Sequence, residues 1–240
     1  MSPEILAQLA PTGVLRAAIN MSNFLLVTGR GPNGEPDGVS PGMARAIAER
    51  LGVPVQYMPF PRPGELADAV ATWDIGLIGA EPQRAEKIAF TAAYAEIEAT
   101  YLVWGDSPIT ALAQVDQPGV RIAVTARAAY DLWLARNITR ATVLRAESLD
   151  GAFQLFEAEK LEVLAGLKPR LLADAEALPG ARILEGNFTT VQQAIGTARG
   201  NTAAAAWLHS FVEEAKASGL VASLIAKHGV RGLSVAAAAQ

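Results

Sequence analysis

Trp73-Asp74-Ile75-Gly76-Leu77-Ile78-Gly79-Ala80-Glu81-Pro82-Gln83-Arg84, running on through Ile88-Ala89-Phe90 to Tyr94, is the most specific stretch of the chain. Its apolar run from Asp74 to Ile78, bounded by an acid and a glycine, reads as a buried strand. Gly79 and Ala80 are small enough for a tight turn, and Pro82 suits the first position of a short helix over 82–87. Arg84 then falls in the first helical turn. A cation there opposes the positive end of the helix dipole, at a cost of about 0.3 kcal/mol or more unless it meets an anion. Backbone N–H groups and a guanidinium converging on one point would grip a carboxylate, with the arginine supplying a two-pronged fork. The same spacing also suits an ordinary surface arginine paired with Glu81, worth ~0.2–0.5 kcal/mol. The residues alone leave both readings open.

Working outward, short apolar runs bounded by Gly, Pro or Asp predict strands over 14–20, 53–59, 120–124, 141–144, 162–164 and 182–184. Between them, amphipathic spacing predicts helices over 41–51, 64–71, 128–137, 149–159 and 168–177. Ser40-Pro41 reads as an N-cap followed by the first helical residue, and Leu51-Gly52-Val53-Pro54 as a helix stop. Such alternation means an α/β architecture with mainly parallel sheets. It breaks twice, into extended segments at 94–104 and 188–197, before two helices at 201–217 and 220–227. The expected organisation is two α/β lobes, the second inserted in the first: lobe 1 over 1–103 and 190–240, lobe 2 over 104–189. A cleft between such lobes is a natural ligand site.

The C-terminal helices carry Trp207, Leu208, Phe211, Leu220, Leu224 and Ile225 at helical spacing, which reads as packing against lobe 1, and 235–240 reads as a frayed tail. No heptads or repeats are evident, so a monomer is expected.

Composition removes several functions. With 20 Lys+Arg against 24 Asp+Glu and a net charge of −4, there is no basic footprint for nucleic acid. No cysteine excludes thiolate metal sites and cysteine nucleophiles, and His209 and His228 are too few and too far apart for a histidine-rich metal centre. No cofactor or metal is expected. No apolar window reaches the ~18 residues of a membrane span. The first twelve residues carry an acid and two prolines and do not read as a signal peptide, so the chain is expected to be either trimmed or cytoplasmic. Gly29-Arg30-Gly31-Pro32-Asn33-Gly34 matches a dinucleotide-binding spacing, but Pro32, Pro36 and the Asn33-Gly34 turn pair point to a hairpin-like turn instead.

The 73–94 stretch resembles the core motif of the family-3 bacterial solute-binding proteins, the periplasmic components of polar amino acid ABC transporters, which have the type 2 periplasmic-binding fold. Leu15–Asn20, Gly38–Gly52 and Gly119–Val124 resemble further segments of that family, and the two extended crossovers fall where it places its hinges. The resemblance implies capture of a small carboxylate-bearing solute, an amino acid or something like one, between closing lobes, delivery to an ABC permease, and a periplasmic location. By resemblance Arg84 is the carboxylate-binding arginine, in the turn formed by Gly79, Ala80 and Glu81. Phe24, with Asn20 and Asn23 beside it, corresponds to the family's ligand-facing aromatic, although from the residues alone plain core packing is the first reading for Phe24. In lobe 2 the turn at Thr125 and Arg127, leading to Tyr130, occupies the position that completes the carboxylate grip. The family's ammonium-binding Asp is replaced near Gly166, which implies a ligand differing in its second half or an amine met by Glu81. Lys168 reads as a second anion contact or as a solvated lysine. Other members of the fold act as cyclohexadienyl dehydratases or as sensor domains, and both remain as alternatives.

Overall fold

Parallel strands need long crossover connections, usually helical, and this chain supplies a set of them twice. Residues 2–239 are described in this computed structural model. The backbone divides into unit 1, up to Glu96 and again from Gln192, and unit 2, Ile97–Val191. Unit 1 begins with α1 (Pro3–Leu9), β1 (Leu15–Asn20), β2 (Gly29–Arg30), β3 (Pro36–Asp37), α2 (Val39–Leu51), β4 (Val55–Phe60), α3 (Pro63–Asp68), β5 (Ile75–Gly79), α4 (Pro82–Ala85) and β6 (Ile88–Phe90). The chain enters unit 2 within β7 (Ala95–Val103). There follow β8 (Arg121–Thr125), α5 (Ala129–Asn137), β9 (Thr142–Ala146), α6 (Leu149–Ala158), β10 (Val163–Leu167), α7 (Lys168–Ala177) and β11 (Arg182–Ile183). It returns within β12 (Thr189–Ala198) and ends with α8 (Thr202–Ala217), α9 (Leu220–Lys227) and β13 (Ser234–Val235).

The two units repeat one topology. In unit 1, β1 lies between β4 and β5 and is parallel to both, with Leu15 opposite Val55 and Ala17 opposite Ile75. In unit 2, β8 lies likewise between β9 and β10, with Ile122 opposite both Val143 and Val163. Antiparallel strands then complete each sheet: β12 beside β5, and β7 beside β10. The expected lobe boundaries at 103/104 and 189/190 therefore differ from the observed division at 96/97 and 191/192. The reason is the long strand β7, whose residues 99–103 pair with β10.

Each first strand is fixed to its parallel neighbour by an arginine–carboxylate clasp. Arg16 donates to Asp74 from its backbone N (2.8 Å), Nε (3.1 Å) and Nη2 (2.6 Å), while the backbone N of Asp74 donates to the Arg16 carbonyl (2.9 Å). Arg121 repeats this on Glu162, from its backbone N (2.8 Å), Nε (2.9 Å) and Nη2 (2.8 Å). The first clasp is buried at its acid and the second is half-exposed, with side-chain exposures of 3% for Asp74 and 34% for Glu162.

Several local expectations are revised. The GxGxxG segment is the β2–β3 hairpin, closed by the Gly31 N–H on the Glu35 carbonyl and by Gly34 in the left-handed region. Gly52 ends α2 in the left-handed conformation, as its sequence context predicts. Ser40, however, does not cap α2. The helix starts at Val39 behind Gly38, so Ser40 lies inside it and is buried, its hydroxyl paired with that of the fully buried Tyr94 at 3.1 Å. Helix α1 was absent from the sequence reading, though Ser2 accepts from the Glu4 N–H and Pro3 opens the helix. Its Leu9 is fully buried, and Gln8 Oε1 accepts the Ala204 N–H at the start of α8. In the C-terminal helices Leu208 and Phe211 are buried as expected, but α9 buries Val221 while Leu220, Leu224 and Ile225 stay half-buried. Gly42 of α2 admits α9 closely: a Cβ there would lie 2.6 Å from Leu224 Cδ2. The expected frayed tail is tied down at its beginning. Ser234 and Val235 pair with Glu96 and Ala95, the Ala236 N–H reaches the Tyr94 carbonyl, and Lys216 Nζ donates to the Ala237 carbonyl.

Removing the guanidinium from a clasp strands its acid, and the cost scales with that acid's burial. Arg16→Ala is expected to lower the unfolding free energy by about 2–3 kcal/mol, since Asp74 stays buried without the guanidinium it pairs with. Arg121→Ala is expected to cost less, and urea denaturation of the two variants tests the order. A pH-dependent contribution comes from Asp116, whose carboxylate accepts the backbone N–H groups of Thr139, Arg140 and Ala141 and the Thr139 hydroxyl. Those bonds hold its pKa down at about 2, against 3.8 when free. The stabilisation is complete above the free value and is lost as the pH falls through about 2. Asp116→Asn should lower the melting temperature at neutral pH, with the gap from wild type closing as both are acidified through that window.

Candidate functional site

The Arg84 turn is built by β5. All five of its residues are buried, so the strand is anchored on both faces. The ladder to β12 continues one residue past the strand, with the Ala80 N–H donating to the Gln192 carbonyl at 2.7 Å. Glu81 is extended (φ −138°) as the cap residue of α4, and Pro82 opens that helix. Arg84, its third residue, is only 6% exposed and donates from Nη1 to the Gly79 carbonyl at 2.7 Å. The turn thus closes on itself: the last carbonyl of the strand is held by a side chain of the helix that follows. This overturns the surface-arginine reading, because Arg84 is buried, and Glu81 beside it is 9% exposed. The far end of α4 is also held. The Arg199 guanidinium donates to the Ala85 carbonyl, and the Arg199 N–H donates to that of Lys87.

Next to this turn, the parallel register brings out the loop after β1. Ile19 lies opposite Leu77, so Asn20 and the end of β5 emerge at the same sheet edge. Asn20 Oδ1 accepts from the Ser22 N–H (3.2 Å) and hydroxyl (2.7 Å), and Asn23 Oδ1 accepts from the Leu25 N–H (3.2 Å). Both asparagines therefore shape their own loop through side-chain turns. Between the buried Asn23 and Leu25, Phe24 stands 39% exposed, which excludes core packing for it. Asn20, Asn23, Phe24, Gly79, Ala80, Glu81 and Arg84 are thus gathered at the carboxyl ends of β1 and β5, where α/β sheets bind ligands.

In unit 2 the corresponding turn, after β8, holds Thr125, Arg127 and Tyr130. Thr125 Oγ1 donates to the Ser148 carbonyl at 3.5 Å. Tyr130 is buried, with its hydroxyl hydrogen-bonded to Thr125, and burial pushes its phenol up to about 12. It supports the turn from below and does not present a face to solvent. Arg127 adopts a left-handed backbone (φ +59°), unusual for a residue with a side chain.

The site near Gly166 is not an ammonium position. Gly166 lies inside β10 opposite Thr100, and a Cβ there would meet Leu171 Cδ2 at 3.1 Å. An acid there would enter the core of unit 2, formed by Leu102, Phe156, Leu164 and Leu171. The residue that ends β10 is Leu167, buried and apolar. Lys168 is the solvated lysine of the two readings and not an open anion contact: its side chain is 39% exposed and its Nζ pairs with Glu98 at 2.6 Å. The sequence pattern does not single out Asp131 and Arg199, which hold the two turns; an acid in the first turn of α5 is the available sign for Asp131. No group of His, Cys, Asp and Glu among the described residues could hold a metal ion, and no helix among them is long and apolar enough to cross a membrane.

Residues 20–231 match the model of the bacterial extracellular solute-binding proteins, family 3. No curated protein matches the chain. Among solved structures, a mutant of ArgBP from T. maritima is 20% identical, with a TM-score of 0.74 over 95% of this chain and 100% of that one. An ancestral amino acid-binding protein, described as a precursor of cyclohexadienyl dehydratase, is 21% identical, with a TM-score of 0.73 over 92% and 98%. A histidine kinase sensor domain similar to periplasmic binding proteins is 16% identical, with a TM-score of 0.75 over 93% and 98%. At these identities the likeness shows the shared fold, that of the type 2 periplasmic-binding proteins.

Proposed function

Because the chain belongs to the bacterial extracellular solute-binding proteins, family 3, we propose that it binds a small carboxylate-bearing solute through the Arg84 turn, as the substrate-binding component of an amino acid ABC transporter. The observation that carries this is the burial of Arg84 where β5 turns into α4, with one guanidinium N–H given to the Gly79 carbonyl. Burying a guanidinium costs several kcal/mol unless anionic or carbonyl oxygens meet it. One short bond to Gly79 fixes the planar group in place, and a fixed fork is what a carboxylate needs. Phe24, exposed at the same strand ends, is proposed to lie against the apolar part of the solute. The Thr125–Ala128 turn of unit 2, with Arg127 and the supporting Tyr130, is proposed as a further solute-binding turn.

The amine of an amino acid ligand requires a separate partner, because β10 ends in Leu167 and the cation Lys168 follows it. Glu81, buried and adjacent in the same turn, is the proposed one. A permease partner and an extracellular or periplasmic location go with this reading. Named relatives of the fold include an arginine-binding protein and a lysine complex, so cationic amino acids belong in any first panel.

A thermal-shift panel of the twenty amino acids tests the proposal. A ligand at a hundred times its dissociation constant adds about 2.7 kcal/mol of stability. At least one amino acid should raise the melting temperature of wild type and not of Arg84→Ala, and Glu81→Gln should weaken the same one. An equal rise in Arg84→Ala would remove the carboxylate role of this turn. Tight binding that is indifferent to Glu81→Gln would remove the amine assignment.

A further inference from the structure

Asp131 is 3% exposed and lies in the first turn of α5, where a carboxylate ordinarily satisfies the N–H of the cap residue. Here it does something else. Oδ2 accepts the backbone N–H of Arg127, the residue before the cap, at 2.7 Å, and Oδ1 accepts Arg145 Nε at 2.8 Å. The cap residue, Ala128, has no side-chain oxygen to offer, and its own N–H reaches back to the Thr125 carbonyl at 3.4 Å. Arg127 carries the left-handed backbone angle of this turn, a conformation that costs a residue with a Cβ about 1 kcal/mol or more unless it is held. The Asp131 carboxylate accepts the backbone N–H of this same residue. Arg145 comes from β9, where it lies opposite Val124, and pairs with the other oxygen of the same carboxylate.

We propose that Asp131 is the positioning residue of the unit 2 binding turn: its carboxylate locks Arg127 left-handed through the backbone N–H and so sets the geometry of Thr125–Ala128. The proposal rests on the solute-binding reading of that turn. It predicts that the two oxygens of Asp131 have separable roles, the Arg127 bond serving binding and the Arg145 bond serving only stability.

The test uses Asp131→Ala, Asp131→Asn and Arg145→Gln in the full chain, with calorimetric titration of L-arginine and of any other amino acid that stabilises wild type. Asp131→Ala should lose affinity by about tenfold or more, the loss of one hydrogen bond to a charged group. Asp131→Asn keeps an oxygen for the Arg127 N–H and should recover most of that loss. Arg145→Gln should lower the melting temperature while leaving affinity within about twofold. Unchanged affinity in Asp131→Ala overturns the proposal, as does a loss in Asp131→Asn equal to that in Asp131→Ala. A second cycle needs no ligand: if Asp131 holds the left-handed angle, Asp131→Ala costs less stability in an Arg127→Gly background, where glycine adopts that angle freely. Additive losses overturn the structural half of the proposal. If wild type binds no amino acid, the solute-binding reading falls, and this cycle alone decides what Asp131 does.

Discussion

The clasp between Arg16 and Asp74 sets the level at which everything else in unit 1 is placed. It combines backbone and side-chain bonds in a single residue pair, so a slip of one residue between β1 and β5 would break all of them together. Such a slip would also turn the buried faces of both strands outward. With the amino ends locked, the carboxyl ends of the same two strands emerge side by side, and the loops carrying Phe24 and Arg84 emerge with them. Unit 2 repeats the device with Arg121 and Glu162, again at the start of the first strand and just before the third. The repeat is one of topology and electrostatics, since the two segments share little beyond a basic residue and an acid at matching positions.

Rigidity at the carboxyl ends is a different problem, because turns and short helices do not hold themselves. Helix α4 has four residues, far below the length at which a helix is stable alone. Its two ends are held by side chains from within unit 1: Arg84 on the Gly79 carbonyl and Arg199 on the Ala85 carbonyl. The turn after β8 lacks a polar cap residue and is held by Asp131 instead. In both places a buried charged side chain, Arg84 or Asp131, supplies a bond that backbone geometry leaves unmade, and the exposed Arg199 adds another at α4. A rigid first layer of this kind keeps the ordering cost of binding low.

Much of this was legible in the sequence. Strand–helix alternation gave the α/β class, Gly52 marked the end of α2, and Asn33-Gly34 exposed the false dinucleotide motif as a hairpin. Arg84 was legible because a strand, a small-residue turn and a proline precede it in order. What escaped had non-local causes. Whether Phe24 is core or surface depends on the fold of its loop, which Asn20 and Asn23 bend through their own side chains. Gly166 falls beyond the strand read over 162–164, since a period of two does not say where a strand ends, and β10 runs on to Leu167. Lys168 found Glu98 seventy residues away, and Ser40 found Tyr94. Asp131 escaped because its partner is a backbone N–H outside the helix.

The central claim is that a fixed, buried guanidinium in unit 1 recognises a carboxylate. The most direct measurement is calorimetric titration of wild type with an amino acid that stabilises it and, in parallel, with the carboxamide of that same amino acid. The two ligands share size, amine and side chain, and differ in the charge and acceptor pair that Arg84 would meet. The account predicts binding of the acid and a loss of at least about a hundredfold for the amide, as expected when the ligand's charge and one acceptor oxygen are removed from a charge-assisted contact. Equal affinities would contradict it and place recognition elsewhere on the molecule.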